Sequence, residues 1–130
     1  MKDVIIIMSV LIMIIGCGIY LQKYTKYSSD EIIKGLSTLK NDIKVAEETN
    51  NNEKAKQKAD EIYNKWQELE EKWSVIVLHD ELDLIETSLV SMKTNIEVKD
   101  FDTSVEKVEE SIFLLNHIYE KEKFCLKNIF

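Results

Sequence analysis

The chain has 130 residues, a net charge of −7, no proline, three glycines and two cysteines, and all 17 of its basic residues are lysine. From residue 28 onward 14 lysines stand against 23 acidic residues, a net −9, which repels nucleic acid and anionic lipid heads, and no arginine is present to grip phosphate with its fork. A nucleic-acid binder is thereby excluded, and the length leaves one domain once a membrane segment is set aside.

The first element is an uncharged run over residues 4–21, broken only mildly by Ser9, Gly16 and Gly18. As a helix it is about 27 Å long, enough to cross the hydrocarbon core of a bilayer. Tyr20, Tyr24 and Tyr27 stand at its far end and suit an interfacial aromatic belt. The reading is a single transmembrane anchor, with residues 1–27 as anchor and flank. A competing reading comes from Ile14-Ile15-Gly16-Cys17, which resembles the lipobox of bacterial lipoproteins, with Cys17 lipidated. Against it, Lys2 is offset by Asp3 where a secretory leader is positive, and the residues after Cys17 stay apolar. The lysine count, Lys2 before the span and Lys23 and Lys26 after it, leans by one charge to a cytoplasmic body. A very short N-terminus ahead of a large acidic domain is, however, the pattern of an uncleaved signal anchor. The location taken is therefore the cell membrane, single-pass, with an extracytoplasmic body.

Ser28-Ser29-Asp30-Glu31 has the form of a helix start, with Ser28 capping and Glu31 reaching back. Ile32, Leu36, Leu39, Ile43 and Ala46 then mark a helix over about 29–49, which can run on almost directly from the membrane segment. Thr49-Asn50-Asn51-Asn52 ends it, and Asn50 with Glu53 offers a second start.

A long helix over about 52–97 organises the rest. Ala55, Ala59, Ile62, Trp66, Leu69, Trp73 and Ile76 form one seam, and Leu78, Leu82, Ile85, Leu89, Met92 and Ile96 form a second at a different phase. The change falls within 75–80. A break there would close the body into a four-helix bundle, but with no proline or glycine to force one, an unbroken or gently kinked helix is expected. Residues 98–102 turn the chain, with Asp102 or Thr103 capping and Glu106 completing the box. Val105, Val108, Ile112, Leu115 and Tyr119 then mark a last helix over about 102–123. The apolar end, with Phe124, Leu126, Ile129 and Phe130, is expected to dock. The fold class expected is all-α: an N-terminal transmembrane helix, then an antiparallel helical hairpin bundle over 28–130 built on one long central helix.

With the span and the capped hairpin in place, three stretches carry a resemblance. Leu69-Glu70-Glu71-Lys72-Trp73, the run from His79 to Glu86, and the end from Glu120 to Phe130 resemble the small Gram-positive bacterial membrane proteins known as domain of unknown function 4363. The likeness runs end to end. It implies architecture and membrane location, assigns no catalytic residues, and hints at an accessory role beside a multi-span membrane protein. Cys17 is not part of that family's pattern, which tilts against lipidation.

One cluster carries chemistry: His79, Asp80, Asp83, Glu86, His117 and Glu120. Antiparallel pairing about 98–102 puts His117 beside Leu82 and Asp83, and His79 beside Glu120. Candidate metal ligands are thus His79, Asp83, His117 and Glu120. The glutamate–histidine spacing of a di-iron bundle is absent, however, and a surface polar network explains the same residues, so no metal and no cofactor are assigned. Trp66 and Trp73, seven apart on one face, read as core rather than a ligand platform. Glu68, Glu70 and Glu71 read as a solvated face. An EF-hand loop is not present in the run from Asp80 to Glu86, and no nucleophile–base pair stands out.

The function expected is a membrane-anchored, non-enzymatic accessory or protein-interaction module whose partner is another membrane protein. The alternative is an anchored, lipoprotein-like binder of a small ligand or metal through the His–acid cluster. Self-association of the rod is compatible with the first.

Overall fold

The computed structural model describes the backbone of residues 1–129 and the side chains of residues 1–121. Among the described residues all regular structure is helical: α1 Lys2–Thr49, α2 Glu53–Trp73, α3 His79–Glu97 and α4 Phe101–Ile129. Each packs on two neighbours, α1 on α2 and α4, and α3 on α2 and α4, which closes an up-down-up-down ring around one core. The expected docking of Phe124, Leu126, Ile129 and Phe130, like the surroundings of Cys125, lies outside the described side chains.

α1 is 48 residues long, about 72 Å at the helical rise. The apolar run and the first body helix are one element, so Ser28 caps nothing. Ser28 and Ser29 are instead buried in mid-helix, and Thr25 turns its hydroxyl to the Leu21 carbonyl at 2.8 Å. Extending an existing helix by one residue is cheap, whereas a new nucleus is not. A cap-like tetrapeptide with no glycine or proline beside it therefore does not interrupt.

The expected long central helix is two helices. α2 stops at Trp73 and α3 starts at His79, so the four-helix closure is the one the chain adopts. Residues 74–78 form a tight connection in which the Ile76 and Val77 amides both reach the Trp73 carbonyl, at 2.9 and 2.8 Å. Ser74 bonds back to the Glu71 carbonyl at 2.7 Å, an alternative to helix that serine favours, and the β-branched residues after it are weak helix formers. Two seams at different phases cannot both face one core along a straight helix, and the break resolves the conflict. Leu78 does not open the second seam as expected. It is the exposed residue before α3, and Val77 is buried in its place.

The other seams hold. Ile32, Leu36, Leu39, Ile43 and Ala46 of α1 meet Ala55, Ala59, Ile62, Trp66, Leu69 and Trp73 of α2 and Leu82, Ile85, Leu89, Met92 and Ile96 of α3. Gly35 lets α2 approach closely, since a Cβ there would stand 3.3 Å from Ile62. In α4 the buried line is Ser104, Val108, Ser111, Leu115 and Ile118: Val108 and Leu115 are where the stripe puts them, while Val105, Ile112 and Tyr119 are half-buried and the residue before each is buried instead. Serines take the centre because they are small and can bond locally. Ser111 bonds the Lys107 carbonyl at 2.8 Å and meets Ser88 of α3 at 2.9 Å.

The turns also differ from expectation. Asn50 and Lys99 take the left-handed conformation. Asn51, not Asn50, accepts from the Glu53 amide. Asp100, not Asp102 or Thr103, caps α4, accepting the Thr103 amide at 3.2 Å and its hydroxyl at 2.9 Å. Asn52 is buried and donates to the Ile96 carbonyl at 2.8 Å, tying the two distal turns together.

Candidate functional site

Two features stand apart from the packing: the first half of α1 and the seam between α2 and α3. The first half of α1 is one helix long and apolar enough to cross a membrane, and none of its most apolar 18-residue window is buried. Ile5, Ile6, Ile12, Met13 and Ile19 are each half or more exposed. A helix apolar on all sides, with none of that window buried among the described residues, has the length and composition of a single membrane span or a signal anchor. Cys17 lies on this stretch and is exposed.

The α2–α3 seam is organised by Glu86. Its carboxylate accepts the Tyr63 hydroxyl on one oxygen and the Trp66 Nε1–H on the other at 2.8 Å. Helical spacing brings this about, because Tyr63 and Trp66 sit one turn apart on α2 and together face the middle of α3. Trp66 stands edge-on to Trp73 with centroids 5.9 Å apart, and both are fully buried, as core residues. Lys93 covers the outer face of the Tyr63 ring at 4.4 Å and pairs with Asp60 at 3.1 Å.

The charges perturb one another. The Tyr63 hydroxyl is pushed up from its ordinary range, first by its bond to Glu86 and then by partial burial. Glu70, on the flank of the seam, is also held above the usual carboxylate range. Partial burial is the first cause, the negative neighbours Glu86 and Asp83 add to it, and His79 pulls the other way. Glu86 was weighed in the sequence only as part of a His–acid cluster. Its anchoring of Tyr63 and Trp66, 23 and 20 residues away, has no local signature.

The expected metal ligands are distributed differently. The α3–α4 register is close to the one expected, with Lys121 pairing with Glu81 at 2.6 Å. His79, Asp83, His117 and Glu120 are all exposed, however. His117 stacks on Phe113 of its own helix, centroids 6.1 Å apart, and His79 lies within the field of Glu70 across the α2–α3 connection. Among the described residues no group of three or more His, Cys, Asp or Glu is close enough to hold a metal ion.

Two grooves follow the seams. One of about 310 Å³ runs between α1 and α2, lined by Tyr24, Tyr27, Glu31, Lys65 and Lys72 among others. The other, about 290 Å³, lies between α2 and α3 over Ala59 and is ringed by Lys56, Asp60, Lys93 and Glu97. Both are open, and both carry cations and carboxylates side by side. Nothing in either pairs a nucleophile with a base.

The sequence model of a family described as a domain of unknown function (DUF4363) matches residues 19–129. That span covers the end of the apolar run and all four packed helices. No curated protein and no solved structure matches the chain.

Proposed function

We propose that this chain, which belongs to the family described as a domain of unknown function (DUF4363), is a single-span, membrane-anchored and non-enzymatic helical module that engages another protein, in the first place a membrane partner. The observation that carries the reading is the continuity of α1. An uncovered apolar helix passes without a turn into the core of the bundle, so the body is held rigidly at a fixed height above the bilayer. A rigid stand presents a bundle face to a neighbour in the same membrane at little entropic expense. Leu84, Val90 and Phe113, large apolar side chains exposed on α3 and α4, are points such a neighbour would cover. The proposal includes an extracytoplasmic body.

Affinity capture of the full chain from detergent-solubilised membranes tests the partner. A stoichiometric membrane protein is expected, and its absence, with bundle intact, overturns the accessory reading. Topology is read by labelling Cys125 with an impermeant reagent in intact cells carrying Cys17→Ala. Labelling is expected, and protection places the body inside.

A further inference from the structure

The connection between α2 and α3 has an unusual character for a loop on an acidic body. Residues 74–78 are Ser-Val-Ile-Val-Leu, without a charge, and Val75 and Leu78 are 85% and 63% exposed. At the opposite end the connections are polar, Asn50-Asn51-Asn52 and Lys99-Asp100 beside a single Val98, while the flanks of both ends are acidic, with Glu70, Glu71, Asp80 and Glu81 against Lys72 beside this loop. The two ends of the body thus differ in their connections, apolar at one and polar at the other.

The register of α1 against α2 says which surroundings the loop meets. Asp42 pairs with Lys54, Gly35 faces Ile62 and Glu31 pairs with Lys65. Each step forward along α2 is one step back along α1. Carried on past Trp73, this register brings Val75 level with Leu21 and Gln22, where the apolar run of α1 ends. The groove beside it is walled by Tyr24 and Tyr27, with Lys72 on the facing helix. Tyrosine rings and long lysines at the end of an apolar span are the side chains that settle at a headgroup layer.

Resting on the anchor reading above, we propose that the 74–78 loop is a second membrane contact, with Val75 and Leu78 seated in the interfacial layer of the bilayer that α1 crosses. The unbroken α1 fixes the body relative to the span, but a single span can still tilt and rotate in the bilayer and carry the body with it. A second contact on the far side of the ring fixes the tilt and the rotation of the body, and therefore which bundle face a neighbour meets. Lipid is the occupant because the loop sits at the height where the span leaves the hydrocarbon, and because its residues are apolar where the connections at the opposite end are polar.

The test uses the full chain with Cys17→Ala and Cys125→Ala, reconstituted in phosphatidylcholine vesicles. Single cysteines are placed at Ile12, Val75, Leu78 and Val98 and labelled with an environment-sensitive fluorophore. All four positions are exposed, so the core is undisturbed, and Val98, in the distal turn with an exposure of 66%, serves as the aqueous reference. Labels at Val75 and Leu78 are expected to shift to the blue, to lose emission to lipids nitroxide-labelled near the headgroup, and to resist aqueous iodide. If they behave like Val98 while the Ile12 label is quenched from within the lipid, the loop contact is wrong and the anchor stands. Resistance to both quenchers means that protein covers the loop, which also overturns the proposal. An Ile12 label quenched by iodide overturns the anchor and the loop contact together.

Discussion

The two halves of α1 share one unbroken backbone and live by opposite rules. In residues 4–21 apolar side chains point in every direction and none is buried; in the second half Ile32, Leu36, Leu39, Ile43 and Ala46 form a single buried line with charges around it. Backbone hydrogen bonding is the same in both. What differs is the solvent each side-chain pattern can satisfy, so a helix can cross from one solvent to another with no structural marker at the crossing.

A pair of substitutions separates the halves. Leu39 is fully buried, and Leu39→Asp places an unpaired carboxylate in the core. A loss of more than about 4 kcal/mol is expected, enough to unfold the bundle in a denaturant titration followed by circular dichroism. Ile12→Asp, at the centre of the apolar run, is expected to leave that titration unchanged while lowering membrane insertion by about 3 kcal/mol, read by extraction of membranes at alkaline pH. If both substitutions moved both measurements, the halves would not be separate and the two-solvent account would fail.

The glycines sharpen the same contrast. A Cβ on Gly16 meets nothing within 4 Å, whereas one on Gly35 meets Ile62 at 3.3 Å. Gly35→Leu overpacks the α1–α2 seam and should lower bundle stability by about 1–3 kcal/mol. Gly16→Leu should lower it by nothing measurable.

Much of this was legible beforehand, for a definable reason. The apolar seams of α1, α2 and α3 are periodic, and periodicity survives in a single sequence. Even the change of phase within 75–80 is visible, and the β-branched Val75, Ile76 and Val77 fit a bend there; the absence of proline and glycine outweighs them in a sequence reading, whereas the chain breaks at Ser74 without either. Ser28-Ser29-Asp30-Glu31 misled for the converse reason: capping residues look the same whether a helix starts there or runs through. In α4 the stripe of Val105, Ile112 and Tyr119 drew attention from Ser104 and Ser111, since pattern reading ranks by hydrophobicity and close packing ranks by size. The Glu86 anchor was out of reach, because its partners are fixed only when the ring closes.

That anchor is a further point of contrast. The bundle half accepts a part-buried carboxylate because two donors meet it, which the apolar residues 4–21 cannot supply. Glu86→Leu leaves the Tyr63 hydroxyl and the buried Trp66 Nε1–H without their acceptor. A loss of about 1–3 kcal/mol is expected, with a change in tryptophan near-ultraviolet dichroism as the seam loosens. An unchanged spectrum and midpoint would show that the pairing is incidental.

The smallest effect concerns Glu70, and its sign is opposite. Partial burial and the neighbouring Glu86 and Asp83 hold this carboxyl above its ordinary range in the folded chain. The unfolded chain therefore gives up its proton first as pH rises. Between the ordinary carboxylate value and the raised folded one, stability falls with rising pH, and above both the full penalty persists. Glu70→Gln should accordingly stabilise the bundle at neutral pH by less than about 1 kcal/mol, the scale of a half-exposed charge. The gain should vanish once pH drops below the ordinary carboxylate range, where wild type and variant are both neutral at this position. Denaturant midpoints of the two proteins, taken from neutral to acid pH, would then converge. A gain that persisted in acid would trace to packing instead of charge. The size of the effect measures the contrast with Ile12→Asp: a carboxylate on the flank of the α2–α3 seam still reaches water, whereas the proposed anchor would leave one in the middle of residues 4–21 with none to reach.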